Sequence, residues 1–406
     1  MKTNTLLRIA LAGTAALLTH TTFAQSWETV DDFGHNPGFP AQAHTAVVDA
    51  QGNLFVGGQA GDGTRTHALI ERSSDQGATW TTIEDYVDST NWLTTFNAIG
   101  FDAAHNIYTV GEGTGSADYH LFVRKSADGG ATWSTIAQVP YNNPFMTPGN
   151  PCFAVDSLGR LYVVAGANPA LLLRSSNGGA TWTTGHPFSD GSTTKGIVST
   201  SAGVFVAGSL AGPWGTVRKS TDGGKTWVTV DNYYGGGSGF QGQLQSICAD
   251  AQGNVYVGGF ANITTGRGKQ AVTTSNWLIR KGTNGGTRWQ TIAKFPVRSY
   301  VPNLVNPLYA SALYNPVNAL SFDAFGNMFV AGGITGSDWV VLKSADQGVT
   351  WSVADAVADA NQYTGGNAWV IATDAVGGVY VAGYLGYSSA TDAHGQHWVV
   401  RKQVGP

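Results

Sequence analysis

Few side chains in this sequence could carry acid–base chemistry, and they are scattered. Hydrolysis of a glycosidic bond needs two carboxyl groups flanking it. With the acids that recur at fixed positions set aside, Glu112, Asp118 and Asp88 are the candidate catalytic carboxylates, ahead of Asp190, Asp338 and Asp392. Glu112 follows Val110-Gly111 where comparable segments carry Gln59, Ser209, Phe260 or Tyr384, which predicts a carboxylate at a strand end facing a cavity. Asp31, Glu84, Asp231 and Asp355 each stand four residues after a recurring Trp and are expected on a solvated outer edge. The nine His show no metal-ligand spacing, and no Gly-rich phosphate loop, His-Glu-x-x-His or Gly-x-Ser-x-Gly segment occurs. No metal and no cofactor is expected.

A second set of residues suits binding. His44, Asn97, Lys195, Gln245 and Asn318 each stand five residues before a recurring Asp, or before Thr200 in one case. That shared offset predicts a polar ring at the mouth of a central channel, able to hold ligand or water. Trp92, Tyr141, Tyr233, Tyr300 and Trp369 stand in or beside long connections, interleaved with Asn. Such platforms suit sugar rings, which offer apolar faces and hydroxyl edges, and they would equally suit a partner protein. Arg267 and Arg298, with Arg65, could grip a carboxylate through paired N–H groups.

The elements that position these residues are written in a repeat. The 406-residue chain is 42% apolar and 12% charged, with 55 Gly and 13 Trp, which excludes disorder and disfavours helical bundles. With 22 Lys and Arg against 26 Asp and Glu, electrostatics argue against a nucleic-acid partner. The segment Ser73-Ser74-Asp75-Gln76-Gly77-Ala78-Thr79-Trp80 returns at Ser126, Ser175, Ser220 and Ser344, with a weaker copy ending at Trp289. Its Asp can accept backbone N–H groups in a tight turn, its Gly can take a positive φ, and its Trp can bury a large area beyond it. A second hairpin with an Asp-to-Gly turn, such as Asp49-Ala50-Gln51-Gly52, precedes each copy.

The copies resemble the Asp-box (BNR) repeat, S-x-D-x-G-x-T-W, of sialidase-like β-propellers. The resemblance implies an all-β fold of four-stranded blades, with ligands on the face opposite the box turns. Units near Asp49, Asp102, Asp156, Thr200, Asp250, Asp323 and Asp374 predict a single seven-bladed propeller. The last unit ends at Trp398-Val399-Val400-Arg401-Lys402 without a box. Ser26-Trp27-Glu28-Thr29-Val30 matches the strand after a box and is expected to join that C-terminal blade, closing the ring. The Arg-Ile-Pro that opens sialidases does not occur; Phe295-Pro296-Val297-Arg298 is a faint echo of it.

Residues 1–24 read as a secretory signal, with Lys2 and Arg8 before an apolar run and Thr22-Phe23-Ala24 as the cleavage site. The propeller then spans residues 25–406, secreted or periplasmic, with no membrane span, and a monomer. Cys152 and Cys248 fall in units that are not neighbours and are expected as free, hydrophobe-like thiols. The expected function is binding of an extracellular poly- or oligosaccharide, with cleavage if two carboxylates flank it. The alternative is a non-catalytic lectin-like or protein-interaction propeller.

Overall fold

The computed structural model describes residues 26–34, 39–88, 93–115, 119–140, 152–166, 170–188, 193–209, 214–234, 241–266, 272–296, 316–334, 338–357, 363–387 and 395–404. All regular structure in these residues is strand. After β1 (Ser26–Phe33) come β2 (Ala41–Val48), β3 (Leu54–Gly61), β4 (Thr66–Ser73) and β5 (Thr81–Tyr86). The next group is β6 (Leu93–Phe101), β7 (Ile107–Thr114), β8 (Tyr119–Ser126) and β9 (Ser134–Pro140). It is followed by β10 (Cys152–Val155), β11 (Leu161–Ala165), β12 (Ala170–Ser175) and β13 (Thr183–Phe188). Then come β14 (Thr193–Thr200), β15 (Gly203–Ser209), β16 (Gly215–Ser220) and β17 (Val228–Tyr233). The fifth group is β18 (Gln241–Ala249), β19 (Val255–Thr265), β20 (Val272–Thr283) and β21 (Arg288–Phe295). The sixth is β22 (Val317–Phe322), β23 (Met328–Ile334), β24 (Asp338–Ser344) and β25 (Ser352–Val357). The chain ends in β26 (Tyr363–Thr373), β27 (Val379–Tyr387) and β28 (Gln396–Val404).

Each group of four is an antiparallel meander. One parallel bridge, Thr66 to Leu93, fuses the first two groups into an eight-stranded sheet, and the other sheets have four strands. β1 pairs antiparallel with β28, placing Ser26 opposite Val404 and Phe33 opposite Trp398. The first strands of the groups touch in chain order from β2 through β6, β10, β14, β18, β22 and β26, and β26 touches β2. Four-stranded antiparallel sheets meeting at their first strands fit a β-propeller.

Apolar side chains fill the spaces between sheets, and each buried cluster draws on two neighbouring groups. One joins Trp277 and Ile279 to Leu320 and Val340; another joins Leu54 and Leu69 to Trp398 and Val400. Trp277, Trp339 and Trp398 are fully buried, so their shared third-strand position is a packing position. Burial of such a ring stabilises by about 2–3 kcal/mol.

The repeated Asp side chains build turns. Asp128 accepts the Thr132 N–H at 2.8 Å and the Thr132 hydroxyl at 2.6 Å, while Ser126 Oγ accepts the Gly130 N–H at 2.8 Å. Gly129 and Gly130 take φ of 71° and 98°, where a Cβ is disfavoured. In the inner hairpins Asp49 accepts the Gln51 and Asn53 N–H groups in the same manner.

One expectation is overturned. The acids four residues after the recurring Trp are not solvated. Glu84, Asp231 and Asp355 are buried and bind Arg124, Arg280 and Arg401 of the next four-stranded group at 2.6–2.7 Å. The sequence carries both partners, but only sheet-on-sheet packing aims each Arg at the acid of its neighbour. Tyr86 and Tyr233 cover two of the guanidinium groups at 4.1 and 4.7 Å.

Candidate functional site

The inner strands carry a repeated irregularity. Pairing with the second strand slips by one residue between Ala43 and Thr45, Phe96 and Ala98, Thr194 and Gly196, and Leu244 and Ser246. It slips again between Val317 and Ala319 and between Ala368 and Val370. The skipped residues are His44, Asn97, Lys195, Gln245, Asn318 and Trp369. Each is the extra residue of a β-bulge, a device that re-aims a side chain.

A glycine on the second strand makes each bulge possible. A Cβ on Gly58 would lie 2.0 Å from the Gln42 carbonyl oxygen, and one on Gly259 1.9 Å from that of Gln243. Gly111, Gly208, Gly332 and Gly383 meet the first strand equally closely. The corresponding residue of β11 is Ala165, and its described partner strand β10 has no slip.

The bulges line one cavity of about 780 Å³. All six bulge residues border it, together with Gln42, Gln59, Cys152 and the apolar residues beyond each bulge, such as Ile99, Ile197 and Ile371. Five of the six, His44, Asn97, Lys195, Gln245 and Asn318, are the residues that the constant five-residue offset picks out. The offset did not include Trp369, which was singled out as an aromatic, nor Gln42 and Cys152. Gln42 stands one full strand repeat before His44, so period-two alternation could have found it.

Polar groups around the cavity form relays. His44 Nε2 lies 3.2 Å from Gln42 Oε1 and its Nδ1 3.1 Å from the Thr95 hydroxyl. Gln42 in turn donates to Gln396 at 2.8 Å. Burial pulls the His44 imidazolium down to about 4, so the ring is neutral at pH 7. Asn318 donates to Asn367 at 2.7 Å and to the Ala368 carbonyl at 3.0 Å, and Gln245 donates to Gln243 at 3.1 Å. Burial lowers the Lys195 pKa, opposed by Cys152 and Glu112. The Cys152 thiol is pushed up to about 12, mainly by burial, so it is a neutral wall group; neither it nor Cys248 is in a disulfide.

Two of the predicted carboxylates, Glu112 and Asp88, stand apart from this wall. Glu112 is only 5% exposed on β7 but is not among the cavity-lining residues, which corrects its expected placement; its charge still acts on Lys195 and Cys152. Asp88 is equally buried, bonded to His120 Nε2, and takes no part in the lining. Tyr233 packs under Arg280 at the end of β17 rather than on the cavity. Asp118, Trp92, Tyr141, Arg267, Arg298 and Tyr300 lie outside the described residues. Among the described residues no group of three His, Cys, Asp or Glu is placed to hold a metal ion, and no helix is long and apolar enough to cross a membrane.

No protein-family model and no curated protein matches the chain. Solved structures do. One is YCF48 bound to D1 peptide, 15% identical with a TM-score of 0.51, covering 94% of this chain and 97% of that one. Another is the GH93 α-L-arabinofuranosidase of Fusarium graminearum in complex with arabinobiose, 12% identical with a TM-score of 0.50 over the same shares. Both are β-propellers. This chain has the β-propeller fold. At these identities the likeness extends to the fold alone.

Proposed function

We propose that this protein is a secreted Asp-box propeller that binds an extracellular poly- or oligosaccharide in its central cavity. The observation that carries the reading is the ring of bulge residues: amides, an imidazole, an ammonium and an indole converge on one channel of about 780 Å³. Amides and imidazole exchange hydrogen bonds with hydroxyl groups, and an indole face covers the apolar side of a pyranose. The volume lies within the range of small-ligand sites. A fold neighbour described with arabinobiose adds support.

The same reading takes residues 1–24 as a secretory signal and residues 25–406 as seven blades in a closed ring, monomeric and periplasmic or extracellular. Support for the ring comes from the cyclic contacts of the inner strands and from the β1–β28 pairing. Binding is favoured over cleavage, because no Asp or Glu is among the described lining residues and Asp88 is committed to His120. A protein partner is the second reading, motivated by a fold neighbour described with a peptide.

A glycan array probed with purified residues 25–406 tests the proposal. Selective capture, weakened about tenfold or more by Trp369→Ala, is expected; an indole–sugar stack of 1–2 kcal/mol corresponds to that loss. New reducing ends on the captured glycan would convert the binder into a glycosidase. Silence across the array would overturn the saccharide reading in favour of a protein partner.

A further inference from the structure

We propose that the saccharide is acidic and that its carboxylate seats on Lys195. The inference rests on the saccharide reading above and names the class of ligand within it. Lys195 stands on the bulge of β14, so its side chain is the re-aimed residue of that strand and lines the cavity. Among the described residues its ammonium makes no hydrogen bond or close ion pair, unlike Arg124, Arg280 and Arg401, each held by a buried carboxylate. A cation drawn partly out of water without an acceptor is costly, and an incoming anion removes that cost.

The surroundings favour an anion over a neutral ligand. Every described lining residue around the ammonium is neutral: amides, the uncharged His44 ring, the Cys152 thiol and apolar side chains. The acid that influences Lys195 is Glu112, which is buried on β7 outside the lining and helps keep the ammonium charged. Trp369 lines the same cavity, and its buried indole N–H has no acceptor among the described residues. A charge-assisted hydrogen bond in such a setting is roughly twice as strong as a neutral one.

Calorimetric titration of residues 25–406 with uronate-containing oligosaccharides, each paired with its carboxyl-reduced neutral counterpart, tests the inference. At least one acidic oligomer is expected to bind about tenfold or more tightly than its reduced form. Lys195→Gln should abolish that preference, so that acidic and reduced oligomers bind alike, and Lys195→Arg should keep it. Melting curves of both variants verify the fold. Equal binding of acidic and reduced oligomers, binding of neutral sugars alone, or a preference that survives in Lys195→Gln overturns the inference and leaves the saccharide reading standing. Failure of every sugar, acidic and neutral, overturns both.

Discussion

Side chains of one type take different tasks in this protein according to the group they meet. Asp128 and its counterparts spend their oxygens on turn N–H groups, whereas Asp231 and Asp355 neutralise an arginine of the next sheet. Asp88 is 5% exposed and bonded to His120, itself 3% exposed. Asp88→Ala would strand a buried imidazole and is expected to cost about 3 kcal/mol in urea unfolding. Glycan capture should be unaffected. Unchanged stability would return Asp88 to the list of reacting groups.

At the scale of the strand, two devices are repeated around the molecule. The first is the glycine that lets the inner strand bulge. Gly259→Ala drives a methyl group into the Gln243 carbonyl, and is expected to cost about 1–3 kcal/mol and to displace Gln245 from the cavity. Chemical denaturation and sugar affinity should therefore fall together. The second is the acid–arginine pair between neighbouring groups, formed by Glu84 with Arg124, Asp231 with Arg280 and Asp355 with Arg401, and at one further junction two acids meet instead. Where β1 meets β4, the position of Arg124 or Arg401 is held by Glu71, so Asp31 faces another carboxyl. Burial first, and the charges of Glu71 and Asp32 next, push Asp31 from its ordinary 3.8 up to about 7. Burial also raises Glu71. The folded protein thus holds protons that the unfolded chain has released. Stability from this junction is full below about pH 4 and is lost as pH rises toward 7, by up to about 1.4 kcal/mol per pH unit for each proton. Asp31→Asn should flatten that slope in melts between pH 4 and 8. Glu71→Arg, with Thr82 in place to accept as Thr135 does from Arg124, should raise stability at pH 8 by ~1–2 kcal/mol.

For the whole molecule, the junction between the two ends of the chain is the element of interest. β1 supplies the outer strand beside β28, and the Val30 carbonyl accepts the Trp80 indole N–H at 2.8 Å, tying the N-terminal strand to the next sheet. Removal of residues 26–33 would expose the β28 edge and unseat Trp80. A lower melting temperature and concentration-dependent association in gel filtration are expected, since an unpaired edge templates pairing with another chain. A truncated protein that stays monomeric with an unchanged melt would show that β1 is dispensable.

Residue order alone encodes the strands, the turns and their repeat. Those depend on local chemistry, such as Asp oxygens meeting nearby N–H groups and glycines at positive φ, and that chemistry reads directly from residue order. It also placed His44, Asn97, Lys195, Gln245 and Asn318 at one level, because a constant offset within a repeat becomes a constant height in the fold. It did not show that these residues sit on bulges, although Gly58, Gly111 and Gly259 mark them. A bulge depends on which glycine lies opposite which carbonyl, and that is a matter of strand pairing. Nor did it show that Glu84, Asp231 and Asp355 are buried or that Glu112 is set apart from the cavity wall. Those outcomes depend on partners about 40 to 50 residues away, brought close only when one sheet packs on the next.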